Sequence, residues 1–474
     1  MKRFFYYLSV LMLLIATSCS NFSEPTPMKK WKSDGSTVKV DDQLSVNAGQ
    51  KLVFSGGKED FVNFELTGMA NVGFDGSAAL YFHNDGAEKG YEVLFHNGAI
   101  DGTRKTGSLA AVRNLYRSLA EDGEWFPFTV AVRNKNISVK INDVDVVCYT
   151  EPENPYRIDE YKGRILGSGN FALVGYKGVV DFKELKVVAL PPDAINPQDT
   201  MPPMEEQDNP IIKLQQANFP VIDYHIHIKG GLTMQMAHAR SMNYGINFGI
   251  GPNAYGPMDN PGDGGSGKQY EYDGELMEYY DSVKDTPFLL GVQGEGRKWV
   301  YSFKKESLLA FDYLYTDGMT IIDHKGRLTR TYRPNEVIMD ISKQAYMDML
   351  VDKTAKILAE EPADFFANAF YLPNVLSVDY DGYWTNARID KILDVMASNG
   401  IALEISARYL VPSQYILQRA KDKGIKFVFG TNNGDASYYM LEYCTDMVDA
   451  LGLTADDMWF PSMSTRAERM DKLE

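Results

Sequence analysis

The chain has 474 residues, of which 44% are hydrophobic, and a formal net charge of −16 at pH 7. This length and apolar content are enough for two to four hydrophobic cores. The negative charge argues against nucleic acid as a partner, because phosphates need a basic face, but it does not argue against a neutral sugar. Past the amino terminus no stretch has the length and hydropathy of a membrane-spanning helix, so we expect a soluble mature protein.

The first residues have the pattern of an export signal. Lys2 and Arg3 precede an apolar run over residues 4–16, and small residues then lead to Cys19. The arrangement resembles a bacterial lipoprotein signal, which implies cleavage before Cys19 and acylation of that residue. We therefore predict a signal peptide over residues 1–18 and attachment to a bacterial membrane through this lipid alone, in the periplasm or on the cell surface. The alternative, an ordinary signal peptide with a chance cysteine, leaves an unpaired exported thiol.

The other two cysteines, Cys148 and Cys444, are far apart in the sequence. They imply no disulfide framework, so the stability of the fold must come from the burial of its cores. The polar stretch over residues 19–35 is predicted to be a tether.

Short alternating runs broken by Gly, Asn and Asp fill residues 36–190. Their period of two, with almost no helical pattern, predicts a β-sandwich of the jelly-roll kind. The clearest runs are residues 51–54, 61–64, 79–82, 91–95, 128–132, 137–141 and 182–187. Repeated Pro, Asp and Glu with few apolar residues then mark residues 191–210 as an interdomain linker.

From residue 211 to residue 474 the pattern changes to strand, loop and helix. Long helical patterns lie between several candidate strands, as at residues 343–360 and 385–398. Repeated βα units predict a parallel sheet, and seven of them fill a closed (β/α)7 barrel with its functional residues at the carboxyl ends of the strands. The candidate strands are residues 219–227, 245–251, 287–293, 311–316, 363–369, 400–406 and 425–431.

The first barrel strand ends in His225-Ile-His227, which points to a metal site. Alternate residues of a strand face the same side, so the two imidazoles can converge on one ion. Glu295, after the third strand, would complete a set of two histidines and one carboxylate, suited to one or two ions of zinc, manganese or iron. The alternative is that both histidines are simply packed or solvated.

Polar residues also follow the other barrel strands. We assign catalytic roles to Asp317, Arg297 and Glu404, of which Glu404 would be a fourth metal ligand or a general base. Both Asn368 and Glu404 stand inside apolar runs, where an unpaired polar group costs about 1 to 3 kcal/mol, so each needs a partner or a purpose. For Arg297 and for Arg408, the alternative to a role in the site is a salt bridge at the rim of the barrel. Roles in substrate binding go to Asn368, Arg408, Asn432 and Asn433.

The Asp-x-His-x-His pattern at residues 223–227 and the Gly-Val-Gln-Gly-Glu stretch at residues 291–295 resemble the PHP superfamily of polymerase and histidinol phosphatase relatives. The resemblance spans roughly residues 217–462 and implies a metal-dependent hydrolase barrel. That family usually has histidine and aspartate after the second, fifth and last strands. This chain has amides there, and because amides are weak metal ligands we expect no trinuclear cluster. The amides are Asn253, Asn368, Asn432 and Asn433.

Five stretches of the amino-terminal domain, in order, resemble the 3-keto-disaccharide hydrolase family, a concanavalin-like jelly roll. The resemblance covers about residues 45–190 and implies binding, and in some members cleavage, of glycosides oxidised at the sugar C3. The five stretches are residues 90–95, 123–125, 137–142, 170–175 and 180–185.

A 3-keto sugar has an acidified C2 proton, so a base could begin elimination of the aglycone. Glu92 and His96 have even spacing on one strand and are the candidate bases, with Arg113 to stabilise the enolate and Tyr91 to bind the sugar. The family often has an aspartate a few residues beyond the glutamate, in the region where this chain has His96. The alternative is a sheet face that binds sugars without reacting, through Tyr81, His83 and Tyr91.

Together these patterns predict an exported, lipid-anchored hydrolase that processes glycosides, with a jelly roll followed by a PHP-like barrel with a metal centre. The expected partner is a carbohydrate, and no pattern indicates an oligomeric state. Two alternatives stay open. One is a non-catalytic glycan-binding lipoprotein whose barrel has lost its metal, and the other is a metallophosphoesterase that uses the sandwich for docking.

Overall fold

The computed structural model describes residues 24–56, 60–84, 89–98, 104–195, 203–259, 267–436 and 441–473. The predicted signal peptide and Cys19 lie outside these residues. The chain divides into two compact units. Of the described residues, the first unit contains those within Met1–Gly98, Lys105–Arg113 and Ala120–Gln207, and the second contains those within Ala99–Arg104, Asn114–Leu119 and Asp208–Glu474. In the described part of the chain, no helix is long and apolar enough to cross a membrane.

The first unit is a sandwich of two antiparallel sheets. Its strands are β1 (Thr26–Pro27), β2 (Lys30–Ser33), β3 (Ser36–Lys39), β4 (Gln43–Asn47), β5 (Lys51–Phe54), β6 (Phe64–Val72), β7 (Ser77–Asn84), β8 (Tyr91–Phe95), β9 (Trp125–Arg133), β10 (Asn136–Ile141), β11 (Val144–Thr150), β12 (Asn170–Lys177) and β13 (Val179–Ala189). One sheet has the order β1-β13-β6-β9-β10-β11, with β4 paired to β13, and the other has the order β3-β2-β5-β12-β7-β8.

Alternation of apolar residues builds the core between these sheets. The Phe95 ring packs against the rings of Phe128 and Phe182, with centroids 4.9 Å and 5.1 Å away. All three side chains are buried, and aromatic pairs at such distances add to the stability that burial gives. The predicted strands at residues 51–54 and 91–95 coincide with β5 and β8, so the prediction of an antiparallel sandwich is confirmed.

One residue near the end of the predicted linker, Glu206, is buried, whereas its neighbours Glu205 and Gln207 are exposed. Glu206 is fully buried and accepts hydrogen bonds from Arg157 Nη1, at 2.8 Å, and from the Tyr149 hydroxyl, at 2.9 Å. Breaking a buried ion pair by removing one partner costs about 3 to 5 kcal/mol, so this pair holds the segment against the first unit. The composition of residues 191–210 predicted a spacer because composition carries no information about tertiary partners.

The second unit contains a closed barrel of seven parallel strands. Each of these strands pairs with the next along the chain, and the last pairs with the first. They are β14 (Ile222–Ile226), β15 (Asn247–Ile250), β18 (Leu289–Gly294), β19 (Tyr313–Asp317), β22 (Phe365–Ala367), β23 (Ala402–Ser406) and β24 (Phe427–Gly430). Short strands β16 (Asn253–Ala254) and β17 (Gln269–Tyr270) extend the sheet, and β20 (Thr320–Ile322) pairs with β21 (Leu328–Arg330). Each predicted barrel strand overlaps an observed one, so the closed seven-strand barrel is confirmed.

Helices connect the barrel strands. The predicted helix at residues 343–360 has the observed bounds, and the Ser342 hydroxyl caps it by accepting a hydrogen bond from the Ala345 N–H at 3.1 Å. The helices are α1 (Pro210–Gln216), α2 (Met234–Tyr244), α3 (Asp273–Val283), α4 (Trp299–Ser302), α5 (Lys305–Leu309), α6 (Lys343–Glu360), α7 (Asn374–Ser377), α8 (Tyr380–Tyr383), α9 (Asn386–Ser398), α10 (Gln414–Asp422), α11 (Glu442–Leu451) and α12 (Met463–Leu473).

Aromatic side chains form a buried cluster on the barrel strands. Tyr313 donates a hydrogen bond to the Tyr224 carbonyl at 2.7 Å, and the Tyr315 ring stacks on Phe365 with centroids 4.7 Å apart. Gly291 makes room for this packing, because a Cβ there would lie 2.2 Å from the Tyr313 ring. The cluster is therefore a filled core rather than a channel.

A short segment from the amino-terminal half folds with the barrel. Tyr116 belongs to the same aromatic cluster, and its hydroxyl donates to the Phe219 carbonyl at 3.2 Å. Asn114 donates two hydrogen bonds to Gln215, in α1, from its backbone N–H to Oε1 and from Nδ2 to the backbone carbonyl, each at 3.0 Å. The sequence prediction placed residues 114–119 in the sandwich domain, because local patterning does not reveal which core buries a loop.

The glycine beside Tyr313 provides a stability test. We expect Gly291→Ala to lower the free energy of unfolding by about 1 to 3 kcal/mol, because the new methyl group overlaps the tyrosine ring. Denaturant unfolding of the full chain measures the change. Gly274→Ala is the control, since a Cβ there meets open space in the first turn of α3. Equal stabilities of the two variants would contradict the packing described.

Candidate functional site

The carboxyl ends of the barrel strands surround a polar cavity. Its empty volume is about 510 Å³, which includes the open space at its mouth. Apart from Met319 and Gly434, all its lining residues carry a polar side-chain group. These are His227, Lys229, Asn253, Gln293, Glu295, Asp317, Tyr332, Asn368, Arg408, Tyr409 and Asn432. A cavity of this size and polarity suits a small hydroxylated ligand.

His225 is fully buried and is oriented by Glu404. His225 Nδ1 lies 2.6 Å from Glu404 Oε1, and the second oxygen of Glu404 accepts the backbone N–H of Asn368. Gly430 leaves room for the carboxylate, because a Cβ there would lie 1.9 Å from Glu404 Oε1. Glu404 was predicted to bind metal or act as a base, but it does not line the cavity. It acts through His225 by fixing its ring and tautomer.

His227 lines the cavity as a neutral imidazole. Its Nδ1 donates to the Gly251 carbonyl at 2.7 Å, because a carbonyl only accepts. Burial, then the charges of Lys229 and His225, hold the pKa of His227 well below its usual range. Asn433, predicted to bind substrate, instead holds the His227 backbone by accepting from its N–H at 2.7 Å and donating to its carbonyl at 2.8 Å.

Glu295 and Asp317 form an acid pair at the cavity. Burial, followed by the nearby Asp317 carboxylate, raises the pKa of Glu295 to about 7, and burial also raises the pKa of Asp317. Glu295 accepts hydrogen bonds from Asn253 Nδ2 at 2.9 Å and Thr320 Oγ1 at 3.2 Å, and Asp317 accepts one from Gln293 Nε2 at 2.9 Å. When two acids interact this strongly, each pKa describes the pair rather than one of the two residues. Below about pH 7 the pair Glu295 and Asp317 therefore retains one proton.

The three predicted metal ligands are not gathered into one site. Among the residues that the structure describes, no three His, Cys, Asp or Glu side chains are placed to hold a metal ion. The sequence predicts the relative position of His225 and His227, because they are two residues apart on one strand, but the position of Glu295 depends on how the barrel closes. The carboxylate oxygens of Glu295 accept hydrogen bonds from an amide and a hydroxyl. This donor set does not fit a three-ligand centre. Metal dependence stays a prediction, and the chemistry proposed below uses no metal.

Two cations face the same cavity as the acid pair. Burial lowers the pKa of Lys229 to about 8. The negative charge of Glu295 raises this pKa, and the positive charge of Arg408 lowers it further. Arg408 Nη1 donates to the Asn432 carbonyl at 2.6 Å, and Asn432 Nδ2 donates to Asn368 Oδ1 at 3.0 Å. Three residues predicted to bind substrate, Asn368, Arg408 and Asn432, therefore lie together on this cavity.

Arg297, a predicted catalytic residue, is turned toward Glu361. Its Nη1 lies 2.9 Å from Glu361 Oε1, and the same carboxylate accepts from Trp299 Nε1 at 3.0 Å. Arg297 does not line the cavity. Its Nη2 is 3.9 Å from Asp317 Oδ1, so its charge opposes the rise that burial causes in the Asp317 pKa. It therefore supports the acid pair rather than touching a ligand.

The sandwich holds a second candidate base, Glu92. Arg164 Nη2 lies 2.5 Å from one oxygen of Glu92, and the Tyr176 hydroxyl donates to the other at 2.7 Å. Tyr81 and Tyr176 share a hydrogen bond of 2.7 Å between their hydroxyls. Glu92 is buried, whereas 46% of Tyr176 is exposed, so the tyrosine is the part of this cluster that faces solvent.

The other sandwich residues predicted from sequence do not join Glu92. His96 lies four residues further on, about 13 Å away along extended chain, and its Nδ1 is 3.0 Å from the Gly76 carbonyl. Tyr91 is fully buried, and its hydroxyl donates to Glu151. Arg113 is also buried, with its guanidinium 4.7 Å from the centroid of the Tyr149 ring. Tyr91 faces away from Glu92, because adjacent residues of a strand face opposite sides. Arg113 packs on the Tyr149 ring, which contacts Tyr91, so neither residue is placed to meet a ligand beside Glu92.

Sequence reasoning missed several residues of the barrel cavity. Gln293 lies on β18, two residues before Glu295, so the same-side spacing that singled out His225 and His227 could have identified it. Tyr332 and Tyr409 come from loops, and nothing in their local sequence indicates that they face the cavity.

Residues 22–188 match the family model described as the 3-keto-alpha-glucoside-1,2-lyase-like domain. No curated protein matches the chain. Solved structures similar to it include a proposed glycosyl hydrolase from Parabacteroides distasonis ATCC 8503, at 15% identity, covering 35% of this chain and 85% of that chain with a TM-score of 0.29. Another is the carbohydrate-binding module CBM66 from Bacillus subtilis, at 13% identity, covering 35% and 95% with a TM-score of 0.23. The family match confirms the resemblance predicted for the jelly-roll domain.

Proposed function

We propose that this protein is a glycoside-processing hydrolase whose barrel carries out acid–base chemistry, while its sandwich binds or processes glycans. The observation that carries the barrel proposal is the buried pair Glu295 and Asp317 beside a cavity lined by amides and tyrosines. The match of residues 22–188 to a family named for a ketoglucoside lyase supports a carbohydrate as the partner.

The neutral lining groups suit sugar hydroxyls. Asn253, Gln293 and Asn432 carry amide groups whose donors hold Glu295, Asp317 and Asn368, and whose oxygens are acceptors for a sugar hydroxyl. Tyr332 and Tyr409 add aromatic surface for the apolar face of a sugar ring. A ligand with many hydroxyls therefore replaces the hydrogen bonds that it loses with water.

Each member of the acid pair carries out one of the two proton transfers of hydrolysis. Protonated Glu295 gives its proton to the glycosidic oxygen as the bond from that oxygen to C1 breaks. Ionised Asp317 takes a proton from the water whose oxygen forms the new bond to C1. Neutral donors on Glu295 and the Gln293 amide on Asp317 hold the two carboxyl groups in place.

A second candidate places the chemistry in the sandwich, on a 3-keto glycoside. Glu92 would remove the C2 proton, and the C2–H electrons would form the C2=C3 bond of an enolate, with the negative charge on the C3 oxygen. The C3 carbonyl would then re-form as the C1=C2 double bond forms, and the aglycone would leave C1 with the electrons of its bond and receive the proton from Glu92. Arg164 and the Tyr176 hydroxyl, which both contact Glu92, would stabilise the enolate oxygen. The favouring observation is this cluster within the matched residues 22–188.

Turnover of matched substrates separates the two centres. We expect Glu295→Gln to lower kcat on glycosides at least about 100-fold, because a general acid is lost, while Glu92→Gln leaves that kcat nearly unchanged. The assay uses the full chain with ordinary glycosides, 3-keto glycosides and phosphoesters. Glu278→Gln, at an exposed helical position, is the control for charge.

Each contrary result identifies another function. Loss of 3-keto turnover in Glu92→Gln and Tyr176→Phe, but not in Glu295→Gln, would place the chemistry in the sandwich. Cleavage of phosphoesters alone, with stoichiometric metal that His225→Ala/His227→Ala removes, would establish the phosphoesterase alternative. Glycan binding without turnover of any substrate would support the alternative of a non-catalytic glycan-binding protein.

Glu295 should also make stability depend on pH. Its pKa is raised from 4.5 to about 7, so the folded state holds the proton more tightly and the free energy of unfolding falls as pH rises between these values. From pH 5 to pH 8 we expect Glu295→Gln to gain about 2 kcal/mol relative to the unchanged protein, because glutamine does not ionise. Urea unfolding at both pH values measures this, and the same pH profile in both proteins would refute the raised pKa.

Export and lipid anchoring are a further part of this proposal, and rest on residues 1–19. In an expressing bacterium, Cys19→Ala should move the protein out of the membrane fraction and remove the mass of the acyl chains. Cys148→Ala, at a buried position of β11, is the control and should stay anchored. Retention of Cys19→Ala in the membrane fraction would rule out acylation at this residue.

A further inference from the structure

We propose that Tyr371 and Tyr409 form a second sugar-binding subsite at the mouth of the barrel cavity, so that the substrate of the barrel is a glycan of two or more sugar rings. This inference rests on the proposed function, because it adds a second ring to the glycoside of the same cavity.

The loops after two neighbouring barrel strands bring these tyrosines together. Tyr371 follows β22 and Tyr409 follows β23, and the two strands pair in parallel, so both loops leave the same end of the sheet. The rings are in edge contact, with centroids 5.0 Å apart and an angle of 64° between their planes. Tyr409 lines the cavity and Tyr371 does not. The pair therefore continues the aromatic surface of the cavity beyond its lining.

The hydroxyls of both tyrosines are available to a ligand. Each residue is partly exposed, and among the residues that the structure describes neither hydroxyl forms a hydrogen bond. Burial raises the pKa of Tyr371 and raises the pKa of Tyr409 to about 12, so both hydroxyls keep their protons at neutral pH. Each hydroxyl can then donate one hydrogen bond and accept others.

A sugar ring matches this pair better than an aromatic or alkyl group does. The hydroxyls of a sugar meet the tyrosine hydroxyls, and its apolar C–H face covers an aromatic ring, so both parts of the side chain gain a partner. An aromatic or alkyl aglycone contacts the rings but displaces water from the hydroxyls without replacing its hydrogen bonds, which costs free energy.

Contacts hold the Tyr409 ring in place before a ligand arrives. The Arg408 guanidinium lies 5.2 Å from the centroid of this ring, and Arg408 Nη1 donates to the Asn432 carbonyl. The loop itself is closed by a hydrogen bond of 2.8 Å from the Ser406 N–H to the Val411 carbonyl. A ring that is already held loses little conformational entropy on binding, which favours affinity.

The backbone beside each tyrosine is strained. Phe370 precedes Tyr371 with a φ of +60°, and Leu410 follows Tyr409 with a φ of +54°. Bulky residues rarely adopt the left-handed region, which costs about 1 to 3 kcal/mol, and such strain is concentrated at functional sites. Leu410 is 60% exposed, so burial of its own side chain does not offset this cost. The strain flanks both members of the pair, as expected for a binding subsite.

Turnover by the full chain tests this inference with substrates that differ by one ring. The pairs are methyl β-glucoside with methyl β-cellobioside and methyl α-glucoside with methyl α-maltoside. Phenyl β-glucoside carries an aromatic ring in place of the second sugar. We expect Tyr371→Ala to lower kcat/KM for a disaccharide at least about tenfold, chiefly through KM, because the ring and its hydroxyl no longer hold the second sugar. The loss for the matching monosaccharide and for phenyl β-glucoside should stay below about twofold, because neither ligand makes the lost contacts.

Two further variants control this comparison. Tyr371→Phe keeps the ring and removes the hydroxyl, so its loss for the disaccharide should lie between those of the unchanged protein and Tyr371→Ala. It also carries the test if circular dichroism shows that Tyr371→Ala does not fold. Tyr415→Ala makes the same change on α10, at a residue that is 53% exposed and does not line the cavity, and should leave the ratio of the two kcat/KM values unchanged.

The outcomes separate this inference from the proposed function. Equal losses for the monosaccharide and the disaccharide, or no loss for the disaccharide, would overturn the second subsite and leave the proposed function standing. A loss for phenyl β-glucoside as large as that for methyl β-cellobioside would overturn the choice of a sugar as the occupant. Turnover of none of these glycosides would overturn both proposals.

Discussion

The aromatic packing on the barrel strands is the constraint on which the site depends. Tyr313, Tyr315 and Tyr224 are fully or almost fully buried, and Gly249 and Gly291 lack side chains where a Cβ would overlap Tyr313. The Tyr315 ring also contacts the His225 ring, with centroids 5.0 Å apart. Because a close-packed core transmits displacements, a shift of these tyrosines would move His225 and the residues bound to it.

A buried polar network joins this core to the cavity. Asp223 accepts hydrogen bonds from the His225 N–H at 3.0 Å and the Thr431 hydroxyl at 2.5 Å, and burial raises its pKa to about 6. His225 in turn contacts Glu404, which also holds the Asn368 backbone. Such networks fix the geometry of groups at a cavity before a ligand arrives, which is what acid–base and electrostatic catalysis requires.

The two candidate centres differ in what surrounds their glutamates. Glu92 in the sandwich contacts the Arg164 guanidinium and a tyrosine hydroxyl. Glu295 in the barrel is held by an amide and a hydroxyl and lies near a second carboxylate, an environment that keeps a proton on the pair. General acid catalysis needs the second environment, so the barrel suits proton donation to a leaving group and the sandwich suits recognition or proton abstraction.

Local patterns in the amino-acid sequence were enough to predict several features of this fold. Runs with a period of two residues predicted a sandwich in the amino-terminal part of the chain. Apolar runs predicted the seven barrel strands, and the 3.6-residue pattern predicted the helix over residues 343–360. Strand spacing also put His225 and His227 on one side, and the apolar surroundings of Asn368 and Glu404 marked them as residues with a partner or purpose.

The combination of distant residues depends on tertiary contacts, which local patterns do not encode. In the closed barrel, Glu404 contacts His225 and does not line the cavity. Gln293 and Tyr332 do line it. Glu295 does not form a three-ligand metal site with the two histidines among the described residues. Burial also drew residues 114–119 into the barrel unit. These outcomes depend on contacts between residues such as Asn114 with Gln215 and His225 with Glu404, which are 101 and 179 positions apart in the sequence. Composition, periodicity and spacing describe only the few residues around each position.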